Sequence, residues 1–179
     1  DYFSEQHDYL PQDKPNALYT KPHSLRDFMP VDGGTSRGFH MILEYITRDV
    51  QALNQEIEFH SKRIKYDIPK IKPVILMPVP TYGHFLELAS NNKDIEVVKI
   101  PRDPNKNWSV DPETIKAAIV DLYKQGKRVV AYFDSNPNNP TGYVRDEAST
   151  RALGKIFMDY SRFYEKEDRR IQSDICDKT

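Results

Sequence analysis

Three short apolar runs constrain this chain most: PVILMPVP at 73–80, IEVVKI at 95–100 and RVVAYFD at 128–134. They are rich in Val and Ile and end at Pro or at charged residues, the pattern of buried strands. Helical periodicity fills the intervals. GGTSRGFHMILEYITRDVQALNQEI repeats apolar residues at Phe39, Ile42, Leu43, Ile46, Val50 and Leu53 behind a glycine turn. HFLELASNN is a shorter helix ending in Asn. SVDPETIKAAIVDLYKQGK has Asp111 as cap, Pro112 in its first turn and Gly126 at its stop, with Ile115, Ala118, Ile119 and Leu122 on one face. DEASTRALGKIFMDYSRFYEKEDRR carries Leu153, Ile156, Phe157 and Tyr160 as a buried stripe. Strands alternating with helices predict an α/β fold of three layers, with helices on both faces of a mostly parallel sheet. The basic stretch EFHSKRIKYDIPKIK reads instead as an irregular, solvated excursion. Residues 1–30, polar and punctuated by proline, read as an N-terminal arm, and 31–179 as one incomplete domain.

Bulk properties remove several function classes. The net charge is −1 with 30% charged residues, so no global field draws the chain to nucleic acid or to an anionic membrane. No apolar run reaches membrane-spanning length and no signal-peptide pattern is present. Cys176 stands alone, which excludes an internal disulfide and fits a reducing, cytoplasmic setting. His7, His23, His40, His60 and His84 show no ligand spacing, so no metal site is expected. There is no Gly-x-Ser-x-Gly elbow, and GGTSRG lacks the lysine of a Walker loop. The chain opens on DYFSEQ and closes on CDKT, and it reads as a fragment or a set of ordered pieces.

Ligands of parallel α/β sheets collect at the carboxyl ends of the strands. Three turns are expected on that rim. Gly33, Gly34 and Thr35 precede a helix, where small residues let backbone N–H groups approach an anion. A Gly-Gly turn with a Thr or Ser cap is more often just an ordinary helix start. Tyr82, in PTYG, has a face that can stack on a flat heteroaromatic ligand, or it closes off the sheet end. SNPNNPTG at 135–142 is the most specific of the three. Its two prolines and its glycine make a stiff loop that presents the amides of Asn138 and Asn139.

The order Gly-Gly-Thr, Pro-Thr-Tyr, Asn-Pro-Asn-Asn-Pro-Thr-Gly resembles the large domain of the class I/II aminotransferases, fold-type I enzymes that depend on pyridoxal phosphate. The resemblance covers roughly 33–164. It implies that Gly34 and Thr35 hold the cofactor phosphate, that Gly33 makes the turn and that Tyr82 stacks on the pyridine ring. It also implies that Asn139 donates to the ring's phenolic oxygen across a cis Asn139–Pro140 bond. By the same resemblance the substrates are an amino acid and a 2-oxo acid and the assembly is a homodimer. Leu25 and Arg26 echo the pair that precedes the phosphate loop, although their spacing to Gly33 is short. Tyr19 is the counterpart of a residue that reaches a partner's phosphate. Asp174 is the candidate for the ring nitrogen, expected after an apolar strand, although the EKEDRRIQ before it is highly charged. The lysine that the family joins covalently to the cofactor has no matching context here. Lys178 lies too close to the asparagine loop to be assigned, so the chain alone is expected to be inactive. The same cradle serves lyases, decarboxylases and synthases of this fold, or a non-catalytic binding relative.

Overall fold

The computed structural model describes residues 32–64 and 69–176. Tyr19, Leu25, Arg26 and Lys178 therefore lie outside the described residues. The chain divides into two compact units, Asp1–Gly38 and Phe39–Thr179, and the division falls within the first described helix.

In chain order the elements are α1 (Gly34–Ile64), β1 (Lys72–Val79), α2 (Gly83–Ser90), β2 (Glu96–Pro101), a 3-10 turn (Pro104–Lys106), α3 (Pro112–Lys124), β3 (Lys127–Tyr132) and α4 (Glu147–Cys176). The strands form a parallel sheet in the order β2-β1-β3. Leu76 pairs with Val98 on one side and Tyr132 on the other. Val129 faces Val74 while Ala131 faces Ile75, so Val130 is an extra residue that shifts the register of β3.

The central strand explains the layering. Val74 to Met77 are fully buried, and successive side chains of a strand point to opposite faces. Val74 and Leu76 join Ile115, Ile119 and Leu122 of α3 and Leu153 and Ile156 of α4. Ile75 and Met77 join Phe39 and Leu43 of α1 and Phe85 and Ala89 of α2. Helices cover both faces, as the alternation of elements requires. The third layer also follows from capping. Asp111 accepts from the Glu113 N–H at 2.9 Å to open α3. Asp146 accepts from the Ser149 N–H at 2.6 Å ahead of α4, and that backbone bond holds its carboxyl below the usual range.

One expectation fails. The stretch EFHSKRI is not an irregular excursion but the last two turns of α1. No Pro or Gly interrupts it before Pro69. Glu58 also pairs with Lys62 one turn on, at 2.7 Å, and with Lys70 at 2.7 Å. Hydrogen bonds from these two lysines lower the Glu58 carboxyl to about 2.

Candidate functional site

Because the three strands are parallel, Val79, Pro101 and Tyr132 end on the same rim of the sheet. The chain leaves β1 through a cis Val79–Pro80 bond and reaches Tyr82, the residue capping α2. Tyr82 is 44% exposed. Its ring meets Phe85 edge-on at 5.3 Å, and Phe85 packs on Phe39 and Phe133 in turn. The phenol is thus anchored from the core side while much of its surface stays open.

After β3 the loop carries cis bonds at Asn136–Pro137 and, as the resemblance implied, at Asn139–Pro140. It closes on itself: the Asn138 N–H donates to the Tyr143 carbonyl and the Gly142 N–H to the Asn138 carbonyl, both at 2.8 Å. Gly142 takes a φ of +71°, which favours glycine at this tight return. The two neighbouring asparagines then divide their work. Asn138 is 3% exposed. Its Nδ2 donates to Thr141 Oγ1 at 2.7 Å and to the Pro80 carbonyl at 3.3 Å. Asn139 is exposed, and its amide has no hydrogen-bond partner among the described residues. Sequence alone treated both as presented donors; burial shows that only Asn139 faces outward.

Under these loops lies a charge cluster that the sequence reading missed. Arg102, directly after β2, has a fully buried side chain, and Asp134, two residues after β3, is 3% exposed. Asp134 pairs with Arg102 through Oδ1 and with Arg145 through Oδ2. Tyr132 Oη also donates to Asp134 Oδ2 at 3.0 Å. Burial, and then the Asp134 charge, push the Tyr132 phenol well up. Burial likewise raises the Tyr143 phenol. The available signal was position: charged residues directly behind apolar parallel strands end up under the rim.

Gly33, Gly34 and Thr35 belong to the other compact unit. Gly33 (φ +88°) and Gly34 (φ +73°) turn the chain into α1, and a Cβ on Gly33 would stand 3.2 Å from the Arg37 Cβ. The first turn of α1 has no acidic residue, so its free N–H groups keep their capacity for an anion. Asp174 lies in the last turn of α4. It does not follow a strand as expected, because the charged EKEDRRIQ continues the helix. Among the described residues, no three His, Cys, Asp or Glu gather as a metal site and no helix is long and apolar enough to cross a membrane.

A cavity of about 600 Å³ lies elsewhere, between α1 and α4 along the outer edge of β3, lined by Tyr45, Val130 and Tyr164 among others. Neither Tyr82 nor Asn139 lines it. That edge has no further strand among the described residues. The rim, with its open ring and free amide, is the better candidate.

Known proteins place the chain. The model of a family described as aminotransferase class I and II matches residues 69–163, more than half of the chain. Glutamate–glyoxylate aminotransferase 1 of Arabidopsis thaliana is 32% identical over 82 residues, 46% of this chain and 17% of that protein. Glutamate–glyoxylate aminotransferase 2 of the same plant is 30% identical over 88 residues, 49% of this chain and 18% of that protein. The matched residues thus span less than a fifth of these relatives. The PLP-bound C-S lyase from Staphylococcus hominis shares the fold, with a TM-score of 0.50 at 19% identity over 74% of this chain and 28% of that one.

Proposed function

The chain belongs to the aminotransferase class I and II family, and on that premise we propose that it forms the cofactor cradle of an enzyme moving an amino group between an amino acid and a 2-oxo acid. The cofactor is pyridoxal 5'-phosphate, which supplies the electron sink for that chemistry when bound. The chain's own residues hold and orient it. Asn139 donates its amide to the phenolic oxygen of the ring, which favours the charged form of that oxygen. Tyr82 covers one face of the ring. Gly33 makes the turn into α1, and the family resemblance gives the cofactor phosphate to Gly34 and Thr35. The names of the two plant relatives give glutamate and glyoxylate, a pair of the proposed class. We extend the class to this chain, not the pair. A cytoplasmic homodimer completes the proposal, supported by the family and by a single cysteine.

One observation carries the reading: of two adjacent asparagines on a proline-braced loop, one is wholly used inside and the other stands exposed without a partner among the described residues. Titrating the chain with pyridoxal 5'-phosphate and following the cofactor's absorbance tests it. Asn139→Ala is expected to weaken binding roughly tenfold, the worth of one hydrogen bond to a charged group. Tyr82→Ala is expected to weaken it several-fold. Equal affinity in the parent and both variants would remove the site.

A further inference from the structure

β2 gives no residue to the proposed cradle, yet the residue directly after it is the most thoroughly used side chain on the rim. Arg102 donates from Nε to the Pro80 carbonyl at 3.1 Å and from Nη1 to the Trp108 carbonyl at 3.2 Å. Nη2 donates to Asn138 Oδ1 at 3.2 Å and pairs with Asp134. Its backbone N–H also donates to the Val79 carbonyl at 2.8 Å. One guanidinium therefore spans the loops that follow β1, β2 and β3.

Two of its partners stand next to the proposed cofactor contacts. Pro80 is two residues before Tyr82, and Asn138 immediately precedes Asn139. Asn138 has little freedom left. Its Oδ1 accepts from Arg102 and from Ser135 Oγ at 3.3 Å, and its Nδ2 returns to Pro80 and Thr141. Charge balance does not need this arrangement, since Asp134 alone could neutralise Arg102. The remaining donors reach carbonyl and amide oxygens in the planar fork that only arginine supplies.

We propose that Arg102 is a positioning residue: by bonding Pro80 and Asn138 together it fixes the loop directions that aim Tyr82 and Asn139 at the cofactor. The proposal rests on the cofactor reading above. Small misplacements of such groups lose much of their effect, so a buried fork joining both loops sets their spacing.

The test is a double-mutant cycle on the 179-residue chain, read as affinity for pyridoxal 5'-phosphate per folded molecule, with the folded fraction set by circular dichroism. Arg102→Lys keeps the charge and loses the fork. It is expected to lower affinity several-fold and to shrink the roughly tenfold effect of Asn139→Ala to below about twofold. Asn138→Ala leaves the Asp134 ion pairs in place and cuts the same link, so it must shrink the Asn139→Ala effect as well. This second variant serves if Arg102→Lys does not fold. Without cofactor, Arg102→Lys and Asn138→Ala should each speed amide hydrogen exchange at Gly142. Unchanged affinity, or a full tenfold Asn139→Ala effect on both backgrounds, overturns the positioning role while sparing the cradle. Absence of any Asn139→Ala effect in the parent chain overturns the cradle itself, and this inference with it.

Discussion

Replacing Asp134 by alanine is expected to remove a large part of the stability of the sheet domain. The carboxylate is 3% exposed and pairs with a fully buried arginine, Arg102, and with Arg145, which is 15% exposed. Removing one partner of a buried pair strands the other charge in low dielectric, at a cost of about 3–5 kcal/mol. Arg145 can turn to solvent, so its share is smaller, and the lost Tyr132 hydrogen bond adds about 1 kcal/mol. The sum, about 4–6 kcal/mol, compares with a total of about 5–15 kcal/mol for a domain. Asp134→Asn keeps an acceptor for one arginine and should fall between parent and alanine variant. Lys127→Met is the control, because its pair with Glu96 at 2.8 Å is partly exposed and worth under about 1 kcal/mol. Urea unfolding followed by far-ultraviolet circular dichroism and by the single Trp108 gives the midpoints. If Asp134→Ala costs no more than Lys127→Met, the cluster does not hold the rim together and the reasoning fails.

Three further outcomes are expected. Leu76→Ala, at a fully buried position of the central strand, should cost about 2–5 kcal/mol in the same assay, and a cost below 1 would contradict the three-layer core. The folded state keeps the Tyr132 proton more tightly than the unfolded chain, whose phenol ionises near 10.0. Stability should therefore be complete below that pH and fall as pH rises beyond it, and Tyr132→Phe should lessen the fall between about pH 10 and 11. Borohydride added to the chain with pyridoxal 5'-phosphate should leave no single lysine stoichiometrically labelled. A peptide map showing one such lysine would contradict the reading that this segment lacks the covalent lysine.

The fold was legible because its strongest signals are local and periodic. Val74 to Met77 had to be a strand buried on both faces, and Asp111 and Pro112 marked the start of α3 by their chemistry. The end of α1 was not legible: its basic composition suggested a loop, while the Glu58 bridges to Lys62 and Lys70 support a helix. The SNPNNPTG loop stood out by its stiffness, yet sequence could not say which asparagine turns inward. That depends on the Pro80 carbonyl, 58 residues away in the chain. Arg102, Asp134 and Arg145 were invisible for the same reason. Each is an ordinary charged residue until parallel strands bring their ends together. Asp174 was expected behind a strand, and the structure instead carries α4 through it.

The most direct measurement is an amide-correlation NMR titration of the isotope-labelled chain with pyridoxal 5'-phosphate. If the rim is the ligand face, the signals that move are those of Tyr82 and of the Asn139 backbone and side chain. Movement confined to Tyr45, Val130 and Tyr164 around the β3 edge, or no movement at all, would contradict it.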